Sequence, residues 1–408
     1  MTGRAALSVA EARARILADA PADRPVEMVP LVRALGRTLA HDLSSRRTQP
    51  PYPVSAMDGY AVRAADLARL PVRLTQIGES AAGHGFSGRL GPMETVRIFT
   101  GAPTPDGADA ILIQEEARLE AGFIEPLRSV PKGNFIRPAG LDFAEGRVLL
   151  QAGTRLGPAG IALAAAMNHA ELPVARRPRV GIVATGDELV LPGTAIGRDQ
   201  IVASNAFAIA ALVEDAGGEP LDLGIAHDDF ASLEIAIGTA IDAGCDILAT
   251  SGGASVGDHD LVRPALAKAG MELNFWRIAV RPGAPLLHGR LGRMAIIGLP
   301  GNPVSAVVGG VLFLKPLVRA LSGDLFAGAD QSEAAILGAA VDANDRRQDF
   351  MRATLEPGGD GPPIATPFEA QDSSMLSVLA KARCLLIRPP HASAAKAGDP
   401  CRIIRLPG

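Results

Sequence analysis

Cysteine is scarce: the 408 residues contain three, Cys245, Cys384 and Cys401, widely separated and without a Cys-x-x-Cys pair. That argues against a disulfide framework or a thiolate zinc site and fits a reducing compartment. An excess of basic charge is also lacking. Forty Lys+Arg stand against 44 Asp+Glu, a formal net charge of −4. This rules out a grossly basic nucleic-acid binder but not a local cleft for a small anion. The stretch from Met1 to Leu17 mixes Arg4, Glu11, Arg13 and Arg15 with alanines and has no signal-peptide apolar core. The longest apolar run, Val304 to Leu314, contains two glycines and stops at Lys315-Pro316, too short to cross a bilayer. No fixed-period repeat is present. A cytoplasmic protein with neither a membrane nor a nucleic-acid partner is therefore expected.

What is there is the composition of a soluble globular chain, 48% apolar and 21% charged, long enough for about two to four domains. Ser8-Val9-Ala10-Glu11 is a capping box that opens an amphipathic helix ending before Pro21. A second helix is expected from Leu31 to Asp42. Pro50-Pro51-Tyr52-Pro53 is stiff and extended. From there to about Pro138, short β-like runs (Val72 to Ile77, Thr95 to Phe99, Ala110 to Gln114) are punctuated by Gly and Pro, as in a small inserted β-rich domain. An alanine-rich helix returns from Pro158 to Ala170.

Strands and helices then alternate. The strands are Val180 to Ala184, Pro220 to Ile225, Asp246 to Thr250 and Met294 to Leu299. The helices are Ser204 to Ala216, Phe230 to Ala243, Leu261 to Ala269 and Pro303 to Leu321. Such alternation predicts βαβ units and a mostly parallel sheet. Short strands at Asp349 to Leu355, Ala382 to Arg388 and Arg402 to Leu406 predict a small C-terminal β domain. The fold class is α/β plus β, with domains at 1–49 together with 139–178, 50–138, 179–326 and 327–408.

Three loops follow predicted strands of the α/β region, where open parallel sheets bind ligands. They are Thr185-Gly186-Asp187-Glu188, Ser251-Gly252-Gly253-Ala254-Ser255-Val256-Gly257-Asp258 and Pro300-Gly301-Asn302-Pro303-Val304-Ser305. Glycines let the backbone approach a ligand, and N–H groups at a helix start, with Ser255 and Ser305, suit an anion. Each loop alone could be a tight turn; three on one sheet edge weaken that reading. Carboxylates accompany them: Asp187, Glu188, Asp228, Asp229, Asp258 and Asp260. Hard oxygen ligands beside phosphate-cradling loops suit Mg²⁺. Helix capping explains Asp229 and Asp258 equally well, whereas Glu188 and Asp228 fit a functional role better. His227 and His259 lie nearby, but a third His or Cys is missing and zinc does not fit.

Several segments together resemble one family. They are Pro50 through Arg63, with Ser55-Ala56-Met57-Asp58-Gly59-Tyr60 at its centre; Thr100-Gly101-Ala102-Pro103 through Ala110; and Arg137-Pro138-Ala139-Gly140 with Asp142. The three α/β loops follow, the last as Gly298-Leu299-Pro300-Gly301-Asn302-Pro303-Val304-Ser305-Ala306. In order and spacing these resemble the molybdopterin molybdenumtransferase (MoeA) family, which includes the E domain of animal gephyrin and its plant counterpart.

The resemblance implies a three-layer, MogA-like α/β domain, a helical segment, an inserted β-rich domain and a C-terminal β-barrel, in an elongated homodimer. It implies hydrolysis of adenylylated molybdopterin with release of AMP and insertion of molybdate, assisted by Mg²⁺. Asp58, Glu188 and Asp228 would be catalytic, and Glu188, Asp187 and Asp228 would hold the metal. The Ser251, Gly252, Gly253 loop, Pro300 and Gly301, with Asp258 and Asp260, would bind the substrate. Ser255, Ser305, Arg281, Arg352 and Ser373 would line the oxyanion pocket, while Asp58, Thr100 and Asp142 would come from the partner subunit. A surface ion pair is the competing reading for Arg352. A molybdopterin adenylyltransferase and molybdoenzymes or their chaperones are further implied partners.

Two departures stand out. Where the family usually has Lys-Pro-Gly-Lys-Pro this chain has Arg281-Pro282-Gly283-Ala284-Pro285, and Asp372 stands where the family favours glycine. They keep two other readings open: a molybdopterin-binding scaffold or carrier without turnover, and an adenylyltransferase.

Overall fold

A computed structural model describes residues 6–21, 23–253 and 261–406. The capping box at Ser8 forms: its hydroxyl accepts the Glu11 N–H at 3.2 Å and Glu11 Oε2 accepts the Ser8 N–H at 2.9 Å. The helix it opens, Val9–Ala18, buries Val9, Ala12 and Ile16 against the α/β core.

In that core the strands Glu219–Ala226, Arg179–Thr185, Ile247–Ser251 and Met294–Leu299 lie side by side and run parallel. Two antiparallel strands, Pro285–Leu291 and Glu272–Arg277, extend the sheet beyond Met294–Leu299. Alternate strand residues feed two cores. Val180, Ile182, Ala249 and Ile297 pack with the helices Val9–Ala18, Asn205–Asp215 and the Pro303–Leu321 segment. Val183, Leu248 and Ile296 pack with Phe230–Asp242 and Val262–Lys268 on the other face. Burying both faces is what near-continuous apolar strands require.

Pro303–Gly309, Gly310–Leu314 and Lys315–Leu321 run on as one helix with a π-helical middle. By length and composition it could cross a membrane, but 72% of that window is buried inside the protein, so its apolarity is that of a core helix.

The helix expected from Leu31 to Asp42 is not there. Leu31–Arg33 is one 3-10 turn, and the backbone N–H groups beyond it go elsewhere: Gly36 to Leu156 O, Leu39 to Thr154 O and Ala40 to Pro173 O. Ala34, Leu39 and Leu43 face a small core with Phe143, Leu172 and Val174. Tertiary pairing overrides helix propensity there. The strand Val26–Pro30 pairs with Glu171–Ala175 in the same region.

Residues 59–126 form a six-stranded sheet ordered Ala110–Ile113, Gly59–Val62, Glu94–Ile98, Leu74–Ser80, Phe123–Pro126 and Ala117–Glu120. At the C-terminus Gln348–Gly358, Gly361–Pro367, Ser332–Leu337, Pro400–Arg405 and Cys384–Arg388 close into a five-stranded barrel, because Gln348–Gly358 pairs with both of its neighbours in the ring. The short strand Val280–Arg281 pairs with Gln348 and Asp349, which fastens the barrel to the α/β domain.

Candidate functional site

The C-terminal ends of Arg179–Thr185, Ile247–Ser251 and Met294–Leu299 open on a cleft of about 1070 Å³. Thr185, Glu188, Ser251, Gly253, Gly301 and Ser305 are among its lining. The loops can converge because Gly252 takes φ +98°, and a Cβ there would stand 2.6 Å from the Thr185 carbonyl oxygen. Gly301 presses against it, 3.7 Å from the Gly252 Cα to the place a Cβ would occupy. Asn205 fastens the two loops together: its Nδ2 donates to Ser251 Oγ at 2.9 Å and to Gly301 O at 2.7 Å. The Thr185 hydroxyl is buried and has no hydrogen-bond partner among the described residues.

The opposite wall comes from the barrel and its attachment, through Arg281, Gln371, Asp372 and Ser373. Asn302 donates to Ser373 Oγ at 2.8 Å and the Val304 N–H to Ser373 O at 3.0 Å. Arg281 Nε donates to Asp349 at 2.9 Å, and this bond raises its pKa. The Asp372 carboxylate accepts from the Ser374 N–H and hydroxyl at 2.8 and 2.6 Å, which lowers its pKa. It is thus tied into its own turn and stays ionised. Ala284 also lines the cleft.

Arg352 is 1% exposed and makes no ion pair among the described residues, so the surface-pair reading is replaced by a buried guanidinium. Nη2 donates to the Asp372 main-chain oxygen at 3.1 Å, and Nε has no partner among the described residues. Burial lowers its pKa, but a guanidinium keeps its proton in proteins. Arg352 and Arg388, whose Nε is equally unpartnered, line a second cavity of about 380 Å³. Arg281 and Gln371 line both cavities. A small anion would supply the acceptors that these buried N–H groups lack.

The carboxylates divide. Glu188 and Asp228 line the cleft. Glu188 folds over Gly186, where a Cβ would stand 2.4 Å from Oε2. The Asp228 pKa is raised, first by burial and then by Asp187 and Glu188. Asp187 does not line the cleft; its Oδ1 lies 3.1 Å from His227 Nδ1 and accepts the Asp228 N–H at 3.2 Å. Asp229 caps the helix Phe230–Asp242, accepting from Ser232 N at 2.8 Å. Among the described residues no three His, Cys, Asp or Glu side chains converge on a metal position. Magnesium needs fewer, since it keeps several waters and takes one or two carboxylates plus substrate oxygens. Glu188 and Asp228 fit that requirement. Ser255, Asp258 and Asp260 lie outside the described residues.

Asp58, Thr100 and Asp142 do not line the cleft of their own chain. Asp58 and Thr100 meet in the inserted sheet, where Asp58 Oδ1 accepts both the Thr100 N–H and hydroxyl at 2.7 Å. These bonds lower the Asp58 pKa. Asp142 is exposed in the Gln49–Phe143 region, its N–H donating to Gln49 O at 3.0 Å.

Sequence reasoning missed Asn205 and the role of Asn302. Asn302 sits inside a motif already singled out. Asn205 carries no local signal, because its partners lie 46 and 96 residues away.

Comparison with known proteins agrees along the chain. Residues 7–168 match the family described as MoeA N-terminal region (domain I and II). Residues 181–320 match a probable molybdopterin binding domain and 334–406 the MoeA C-terminal region (domain IV). The molybdopterin molybdenumtransferase of Haemophilus influenzae is 34% identical over 394 residues, covering 96% of this chain and 97% of that one. That of Nostoc sp. is 40% identical over 304 residues, 73% of this chain and 70% of its own. Among solved structures, the molybdopterin biosynthesis moeA protein of Pyrococcus horikoshii superimposes with a TM-score of 0.85 at 28% identity. That match covers 98% of this chain and 100% of that one.

Proposed function

The chain belongs to the molybdopterin molybdenumtransferase (MoeA) family and is a transferase of molybdenum cofactor biosynthesis; from that premise we propose that it takes adenylylated molybdopterin and molybdate as substrates and releases AMP as the metal is inserted. One observation carries the reading. A large cleft floored by glycine-rich strand ends adjoins a smaller cavity in which the buried Arg352 guanidinium has an N–H with no partner among the described residues. The first suits an extended phosphate-bearing substrate, the second a small oxyanion.

Ser251, Gly252 and Gly253 would face the phosphate linkage with hydroxyl and backbone N–H groups, and Asn205 keeps that loop in register with Gly301. Glu188 and Asp228 would hold Mg²⁺, which when bound would screen the charge of the linkage. Arg352 and Arg281, with Ser305 and Ser373, would orient molybdate. Fork-shaped donors suit a tetrahedral dianion, though Arg281 already shares its charge with Asp349. Asp58 and Thr100, remote from this cleft, would act in the cleft of a second copy of the chain, a homodimer with Asp58 orienting the attacking water.

The test is to incubate the purified protein with adenylylated molybdopterin, Mg²⁺ and molybdate and to follow nucleotide. AMP release that depends on molybdate is the expected result. Pyrophosphate release from ATP would make the protein an adenylyltransferase, and the absence of any nucleotide product would make it a carrier.

A further inference from the structure

Three strands of the inserted sheet end at Asp58. Gly59–Val62 begins there, and Glu94–Ile98 and Ala110–Ile113 stop beside it. Asp58 touches all three. It precedes Gly59, its Oδ1 holds Thr100, and its carbonyl accepts the Gln114 N–H at 3.1 Å. Arg97 joins the same three ends from the other side. It lies on Glu94–Ile98, directly across from Tyr60. Its Nη1 donates to Gly59 O at 3.2 Å and its Nη2 to Gln114 Oε1 at 2.7 Å. The guanidinium carbon stands 4.9 Å from the centre of the Tyr60 ring and 5.1 Å from that of Phe99.

We propose that Arg97 is a positioning residue for the transferase reaction, holding the Asp58 carboxylate in one outward orientation. A planar fork packed against two rings has little freedom to turn. It fixes the carbonyl of the residue after Asp58 and the side chain of the residue whose N–H the Asp58 carbonyl accepts. Both hydrogen bonds to the Asp58 side chain fall on Oδ1, so Oδ2 is the oxygen this clamp presents. Among the described residues no hydrogen bond joins Arg97 to the Asp58 carboxylate. Its contacts therefore act through Gly59 and Gln114, while its charge also favours the ionised Asp58 carboxylate through space. A lysine would keep the charge but could not make both bonds in one plane. The inference rests on the reading that Asp58 acts in the reaction.

The test uses the full-length enzyme in the AMP-release assay with R97M, R97K, D58N and the D58N/R97M double variant. R97M is expected to lower kcat about tenfold or more, with both KM values within about twofold of wild type and R97K falling between. The double variant should be no slower than D58N alone, because a residue that acts only through Asp58 has nothing left to position. A loss confined to KM would overturn the proposal, as would R97M and D58N effects that multiply in the double variant. If R97M fails to fold, R97K decides: reduced kcat at an unchanged melting temperature supports the clamp, and wild-type kcat overturns it. D58N at wild-type rate would remove the Asp58 reading, and the clamp with it, a result distinct from an R97M defect that is independent of Asp58.

Discussion

Asp58 and Asp228 both stand beside strand ends, but their surroundings push them in opposite directions. Around Asp58, donors from Thr100 hold the carboxylate ionised and oriented, with its pKa lowered. Around Asp228, burial and two neighbouring carboxylates oppose ionisation, and the pKa is raised. The corner in the inserted sheet is therefore finished as it stands, whereas the cleft sets Glu188 and Asp228 together on one wall and has, beyond Gln371, the buried Arg352 guanidinium behind the other. A preformed acceptor needs no ligand to hold it, while opposing charges left apart are what an anionic substrate and its cation would bring together.

The most severe way to break this contrast is at Glu188. E188A should reduce AMP release about 100-fold at saturating substrate, read as kcat in the nucleotide assay; unchanged release would remove Glu188 from the metal assignment. R352M should come next. It takes away the buried forked donor, so kcat/KM for molybdate should fall about tenfold or more, with the KM for the pterin substrate little changed. N205A removes two partly exposed hydrogen bonds between loops and should lower kcat/KM for the pterin substrate about tenfold, on the scale of roughly 0.7 kcal/mol for each bond.

The smallest effect, and the one with the opposite sign, belongs to D228N. With its pKa raised, Asp228 still keeps in the folded protein, just above the ordinary carboxylate range, a proton that the unfolded chain has already lost. Its contribution therefore turns against folding as pH rises through that window. D228N should raise the melting temperature of the ligand-free protein by roughly 1–2 °C at neutral pH while lowering activity. For Asp58 the sign reverses, and its contribution is lost as pH falls through the lowered value. A D228N protein less stable than wild type would show that no like-charge strain exists in the cleft.

The sequence was most legible where chemistry and backbone coincide. The strand Met294–Leu299 is where the apolar run ends, and Pro300-Gly301 turns it into the cleft. Asp229 was readable as a cap because it stands immediately before the predicted helix at Phe230, and it accepts the Ser232 N–H there. What could not be read depends on distant partners. The hairpin pair Glu272–Arg277 and Pro285–Leu291 is partly exposed and interrupted by register shifts, so it shows no clean alternation. The segment from Leu31 looked helical because its apolar residues are spaced like a helix, and only Thr154, Leu156 and Pro173 reveal where its hydrogen bonds go. Composition likewise gives no sign that Arg352 would be buried with a free N–H, or that Asn205 would reach Gly301.

The central claim is that the Asp58 corner of one chain and the Glu188 cleft of another act on the same substrate. It is tested most directly by co-expressing D58N and E188A chains with different tags and isolating the mixed oligomer. The account predicts that the mixed species recovers AMP release well above either parent, because one of its two clefts then has an intact Glu188 facing an intact Asp58. A mixed species no more active than the parents would contradict it.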